Sequence, residues 1–277
     1  MNQSFLILGR EPSLSFCELY QYLGQDSQKI SSSAEGAVLI DDADLGQRAP
    51  YVLAGIVKSG VIIKSVSKLE AQDLVDIFKT YLKEDTKFNF GLSLYRLSAS
   101  SQTLTLPFPW KGEGAKKLGL EVKKLLKALG ASVRLVESKS NNLSAVDVVK
   151  NRLLKDGMEL CIFTTSSGFL IGITQAVQPF AEYSHRDYDR PGRDAKSGML
   201  PPKLAKAMVN IAVPVGTRHA LSLQILDPFC GSGTVLQEAM LLGHNVIVTD
   251  IETQAIIESK KNIEWLIGEY HELKTLS

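Results

Sequence analysis

Short apolar runs separated by polar turns organise the chain. Phe5–Leu8, Ala37–Ile40 and Val61–Val66 read as strands, each too short for a helix. Leu14–Leu23 reads as a helix opened by Pro12 and Ser13, and a further helical stretch covers Ala49–Val57. Leu69–Lys83 repeats leucine, valine, isoleucine and tyrosine at helical spacing. From Lys87, KFNFGLSLYRL alternates apolar and polar positions, as a half-buried strand does. A long helix over Gly114–Leu129 is stopped by Gly130. Strand Ser132–Val136, helix Ser144–Leu154 and a hairpin of Glu159–Thr165 and Phe169–Thr174 around SSG follow. These patterns predict two consecutive α+β units.

Past Pro179 the character changes. AEYSHRDYDRPGRDAKSG lacks apolar periodicity and reads as a linker, after which MLPPKLAKAMVNIA starts a helix with Pro202 in its first turn. The remainder reads as strand Leu223–Leu226, a glycine loop, helix Val235–Leu242, strand Val246–Thr249 and helix Thr253–Ile267. That is one βαβ unit, the opening of a parallel doubly wound α/β sheet.

Composition adds limits. The 277 residues are 44% hydrophobic, enough for two or three modest cores, and the net charge of +1 advertises no global field toward nucleic acid or membrane. No apolar run approaches the roughly 20 residues of a membrane helix. MNQSFLILGREPS has no basic leader, so no signal peptide is expected. Cys17, Cys161 and Cys230 are widely spaced and the four histidines scattered, which argues against a disulfide framework or a metal site. A cytoplasmic protein with reduced thiols is expected. Charge is uneven, however. Lys111–Asp156 holds eleven Lys/Arg against five acids, and Lys116, Lys123 and Lys127 share one helix. That excess fits phosphate contacts, with Arg152 nearby, but on charge alone a solvated helix face is the readier explanation.

The glycine loop DPFCGSGT, Asp227–Thr234, carries the candidate chemistry. A Walker loop is excluded, because no lysine follows Gly233. A dinucleotide fingerprint is weakened, because Leu236 stands where its third glycine belongs. S-adenosylmethionine fits better. Gly231 and Gly233 permit close backbone approach. Asp227 suits the cationic side of that ligand. Asp250, nineteen residues after Gly231, ends the next strand and could accept from both ribose hydroxyls, with Ile251 against the adenine. The plainer readings are a loop-capping carboxylate for Asp227 and a helix N-cap for Asp250. Cys230 reads as a small filler rather than a nucleophile, since no histidine lies near it in sequence.

DYDRPGRDAKSGMLPPKLAKAMVNIA followed by ILDPFCGSGTVLQEAMLLG resembles the THUMP-domain tRNA guanine-N2-methyltransferases, specifically from Arg186 to Asp250. The resemblance implies an N-terminal ferredoxin-like domain (1–84), a THUMP RNA-binding domain (85–178), a linker (179–198) and part of a Rossmann-like methyltransferase domain (199–277). It implies S-adenosylmethionine as cofactor and tRNA as partner. Its first cofactor motif falls on Asp227, Phe229, Gly231, Gly233 and Thr234, its ribose acid on Asp250, and a pocket-closing segment near Met199–Lys203. RPGR is a family-like loop, which adds Arg190 and Arg193 to the candidate RNA contacts, against a plain hinge turn. The family's catalytic motif, an acid or asparagine followed by Pro-Pro and an aromatic, is not found: Pro201-Pro202 lacks both the acid and the aromatic. The chain is therefore expected to lack catalytic residues and to transfer no methyl group alone, with a partner subunit or a missing C-terminal half completing the domain. An RNA-binding module without catalysis is the alternative. A DNA amino-methyltransferase with permuted motifs ranks lower, for want of a Pro-Pro-aromatic motif upstream of Asp227.

Overall fold

The computed structural model describes residues 3–34, 36–83, 86–97, 114–193, 199–213 and 224–270. Lys111, Leu223 and positions 194–198 of the expected linker lie outside them. The chain forms two units with interleaved boundaries: Met1–Arg10, Gln28–Pro50 and Ile56–Gln178 in the first, Glu11–Ser27, Tyr51–Gly55 and Pro179–Ser277 in the second.

Eight strands build the first unit: β1 (Ser4–Leu8), β2 (Ile30–Ala34), β3 (Ala37–Ile40), β4 (Ile56–Val66), β5 (Phe88–Arg96), β6 (Val133–Val136), β7 (Gly157–Thr165) and β8 (Gly168–Val177). Their order is β2-β3-β1-β4-β8-β7-β5-β6. β5 runs parallel to β6 and β7, and the other pairs are antiparallel. β4 pairs with β8 from Lys58↔Val177 to Val66↔Phe169, so one sheet includes strands from both sides of position 84. α3 (Ala71–Lys79) and α4 (Gly114–Ala128) place Leu74, Phe78, Leu118, Val122 and Leu126 in a core with Phe90, Leu160 and Ile171. Phe5, Leu39, Ile62, Cys161 and Phe163 form another cluster. α5 (Ala145–Lys150) is capped by Ser144, whose hydroxyl accepts from Asp147 N at 3.1 Å. It ends short of Leu154: the following turn puts Arg152 in the left-handed region at φ 57°.

A charged pair is sealed inside this unit. Lys58 Nζ donates to Glu159 Oε1 at 2.6 Å and to the Leu143 carbonyl at 2.8 Å. Ser93 and Thr174 donate to the same carboxylate at 2.5 and 2.6 Å. Burial opposes the lysine charge, but Glu159, Tyr95 and Cys161 together outweigh it and the net shift of the Lys58 pKa is upward.

The second unit gathers α1 (Pro12–Leu23), α6 (Phe180–Tyr188), α7 (Pro202–Ala212), β9 (Gln224–Asp227), α8 (Thr234–Leu241), β10 (Asn245–Val248) and α9 (Thr253–Glu269). β9 and β10 pair in parallel, Gln224↔Asn245 to Asp227↔Val248, as the βαβ pattern requires. One face of this pair packs Ile225 and Val246 on Val209, Val213 and Ala239. α1 packs on α7 through a buried carboxylate. Glu18, 0% exposed, accepts from Ala54 N (2.8 Å), Gly55 N (2.6 Å) and Asn210 Nδ2 (2.6 Å). The helix expected at Ala49–Val57 is instead α2 (Ala43–Val52), and β4 begins at Ile56. Asp42 starts that helix by accepting from Leu45 N at 2.9 Å. The expected linker carries α6, anchored where Arg186 Nε meets Glu238 Oε1 at 2.6 Å. No described helix is long and apolar enough to cross a membrane.

Candidate functional site

The glycine loop leaves the end of β9. Asp227 Oδ1 accepts from Phe229 N at 3.1 Å and closes the first turn, so the loop-capping role is real. Thr249 N donates to Asp227 O at 3.0 Å, and Cys230 N to Thr249 O at 3.1 Å. These bonds tie the loop to the end of β10. Gly233 N then donates to Cys230 O at 2.8 Å, and α8 begins at Thr234.

Two glycines in this turn are left-handed for different reasons. Gly231 has φ 51° and Gly233 φ 82°, values that penalise any residue with a Cβ. A Cβ on Gly233 would also come within 2.5 Å of Ser259 Oγ. A Cβ on Gly231 would meet nothing within 4 Å. Gly231 therefore borders open space, and a ligand can approach its backbone.

Asp250 faces this turn. Its Oδ2 accepts from Gly231 N at 2.8 Å and its Oδ1 from Glu252 N at 3.0 Å. The Glu252 and Gly231 N–H groups, in that order, hold its carboxyl below the usual carboxylate range, so it is ionised at neutral pH. Each oxygen keeps a lone pair for another donor. Asp250 is not the cap of α9, because Glu252 occupies that position. Beside it Ile251 is 94% exposed, and on the loop Phe229 is 84% exposed. Bare apolar surface of this size at the carboxyl ends of parallel strands is where open α/β sheets take ligands. Cys230 is buried, and burial pushes its thiol pKa up, in keeping with a filler.

Behind the loop lies polar support that composition and periodicity did not reveal. Asn262 of α9 accepts from Gly192 N at 2.7 Å and donates to Gly192 O and Ser232 O at 2.8 Å. Arg190 donates from Nη1 to Thr234 Oγ1 at 2.6 Å. Both bonds join the Arg190–Arg193 segment to the glycine loop.

The candidate RNA contacts separate. Lys127 is exposed and Lys123 half-buried. Lys116 is exposed, with Glu137 at 3.6 Å. These three share one stripe of α4, flanking its buried face of Leu118, Val122 and Leu126. Arg152 is exposed and pairs with Asp156. Arg193 is exposed, its guanidinium 5.5 Å from the Tyr188 ring. Arg190 is 2% exposed, with its guanidinium donating to Thr234 and Met199 inside the second unit.

With this geometry in hand, similarity to known proteins can be weighed. Residues 190–271 match the family model "UPF0020: RMKL-like, methyltransferase domain". The match runs from Arg190 through the glycine loop and Asp250 into α9. Two proteins named tRNA (guanine(10)-N2)-dimethyltransferase are similar over part of the chain. The one from Methanothermobacter thermautotrophicus is 41% identical over 68 residues, 24% of this chain and 18% of that protein. The one from Pyrococcus abyssi is 35% identical over 88 residues, 30% of this chain and 25% of that protein. The aligned stretch thus spans a quarter or less of either relative. In fold, the chain resembles TrmN from Thermus thermophilus, at a TM-score of 0.50 and 17% identity, covering 95% of this chain and 70% of that one.

Proposed function

We propose that the glycine loop is a binding site for S-adenosylmethionine, and that the chain carries the donor-binding part of a tRNA guanine-N2-methyltransferase. The observation that carries the reading is the closure of the loop on Asp250. Its carboxylate holds Gly231 N at 2.8 Å, beside open space at Gly231 and the exposed Ile251 and Phe229. The methyltransferase-domain match over residues 190–271 and the names of the two relatives support the same reading.

Bound S-adenosylmethionine supplies an electrophilic methyl group on a sulfonium. The chain's residues hold it. Asp250 is the acceptor for the ribose hydroxyls, because both of its oxygens are fixed by backbone N–H groups and retain a lone pair. Ile251 and Phe229 offer apolar faces to the ligand's rings and chain. Gly231 keeps the approach free of a side chain, and Gly233 and Thr234 set the turn into α8. Asp227 shapes the loop and adds negative charge on the side suited to a cation.

We assign the tRNA contact to the α4 stripe, Lys116, Lys123 and Lys127, within an RNA-binding THUMP domain that follows a ferredoxin-like one. Exposed cations on one helix face suit a phosphate backbone. No residue is assigned to removing the proton of the acceptor amine.

Calorimetry tests the donor site. The purified chain is expected to bind S-adenosylmethionine, and Asp250→Ala to abolish that binding while the thermal melt stays cooperative. Unchanged affinity in the variant removes Asp250 from the site.

A further inference from the structure

Asn262 of α9 is sealed inside the second unit, at 0% exposed. Its carboxamide joins two backbone segments that are far apart in sequence. Nδ2 donates to Gly192 O and to Ser232 O, each at 2.8 Å, and Oδ1 accepts from Gly192 N at 2.7 Å. Gly192 is therefore held at both its N–H and its C=O, as a residue in a strand ladder would be. This approach requires a glycine. A Cβ at that position would come within 2.8 Å of Glu258 O and 3.1 Å of Asn262 Nδ2.

The other arm of the carboxamide reaches the donor loop between its two left-handed glycines. Ser232 O and Gly233 N belong to one planar peptide group. Asn262 donates to the oxygen end at 2.8 Å, and the nitrogen end donates to Cys230 O at 2.8 Å. A peptide group held at both ends cannot swing, and this one fixes the direction in which the neighbouring Gly231 presents its open backbone. Ser259, on the same face of α9 one turn earlier, lies where a Cβ on Gly233 would fall, at 2.5 Å. α9 thus supports the loop from the buried side, and Asp250 holds Gly231 N from the open side.

We infer that Asn262 is a positioning residue for the donor site. One buried carboxamide sets the glycine loop and the Arg190–Arg193 turn in fixed relation, so that full donor affinity requires the turn to be clamped to α9. The inference rests on the S-adenosylmethionine reading and adds to it a residue that acts through the loop rather than on the ligand. The chemistry is specific to an amide. An aspartate of the same shape still accepts from Gly192 N, but it sets a carboxylate oxygen against two carbonyl oxygens.

Calorimetry with S-adenosylhomocysteine, run well below the melting temperature, reads the affinity of folded protein and does not respond to a loss of stability alone. Asn262→Asp should weaken binding by roughly tenfold or more. Gly192→Ala, which pushes the turn off α9 from the other side, should also weaken it. The double variant should lose no more than the worse single variant, because both break one clamp. Val209→Ala thins the core beneath β9 and β10 without touching the clamp. It should lower the melt and leave the affinity within about twofold. In protein carrying nitrogen-labelled glycine, the Gly192 amide resonance should shift when the probe is added, and should stop responding in Asn262→Asp. Unchanged affinity in Asn262→Asp, additive losses in the double variant, or an equal loss in Val209→Ala overturns the positioning role and leaves the donor reading standing. Failure of the unaltered chain to bind the probe overturns the donor reading itself. Should Asn262→Asp not fold, Gly192→Ala and the Gly192 resonance of the unaltered chain decide, and no loss with no shift overturns the inference.

Discussion

The strands of the first unit and those of the second treat their side chains in opposite ways. β1 and β3 are buried at every position. The charged groups that enter that interior, Lys58 and Glu159, find partners in each other and in Leu143, Ser93 and Thr174. β9 and β10 alternate instead between half-buried and exposed positions. Leu226 is 62% exposed, and the segments beyond the strands hold Phe229 and Ile251 nearly bare. Satisfied burial makes a region whose work is to stay folded. The second unit instead leaves apolar surface uncovered beside an anchored acid, the surface that the proposed donor would cover.

The strongest way to break this contrast is to unbalance the closed region. Glu159→Leu leaves Lys58 buried and unpaired, and is expected to destabilise the first unit by about 3–5 kcal/mol. The double variant Lys58→Met/Glu159→Leu should recover most of that loss in urea denaturation. If the single variant melts like the parent, the pair is not the lock described here. A smaller effect sharpens the contrast within the loop. Gly231→Ala and Gly233→Ala should each cost about 1–2 kcal/mol for the left-handed backbone, with Gly233→Ala the worse because Ser259 obstructs its Cβ. For donor binding the order should reverse, since only at Gly231 does the new methyl enter open space. Thermal melts and titration calorimetry on the same two proteins would show both orders.

The smallest effect is a pH dependence in the second unit. His185 Nδ1 lies 2.7 Å from Asp189 Oδ2, and Nε2 lies 3.3 Å from Glu269 Oε2. The hydrogen bond to Asp189 first, then that to Glu269, raises the imidazole pKa above its ordinary value of about 6.5. A raised folded-state pKa means that the folded form binds the proton more tightly. Its contribution is therefore complete below the ordinary value and is lost as pH rises through the raised one. The imidazole is largely solvent-screened, so the slope is small. His185→Ala should flatten it in melts recorded across that range.

Local signals carried much of this structure. A strand at the N-terminus, the helix opened by Pro12, the Gly130 stop, the hairpin around Ser166–Gly168 and the βαβ order around the glycine loop all lie where run length and punctuation put them. β2 escaped notice because ISSSA is mostly polar, and its strand character comes from pairing with β3. α6 was hidden by its charges, since its anchor Glu238 lies 52 residues away. At the loop, the turn closed by Asp227, the left-handed Gly231 and Gly233 and the strand-end place of Asp250 follow from turn chemistry and strand spacing, which are local. Arg190 is 2% exposed, although an arginine in a polar stretch looks exposed from sequence. Its burial depends on Thr234, 44 residues later, and periodicity says nothing about that contact.

The carboxylate of Glu18 has a consequence for synthesis. Its partner Asn210 lies 192 residues downstream. At roughly 5–20 residues per second, α1 leaves the ribosome some 10–40 s before the helix that covers it has been made. During that interval the buried face of α1, with Leu19, Leu23 and the Glu18 carboxyl, lacks the cover that α7 gives it. The first unit's strands can meanwhile pair among themselves. The contact between α1 and α7 therefore cannot form until Asn210 has been made, and Pro12–Leu23 is the segment a holding chaperone is expected to meet in the meantime.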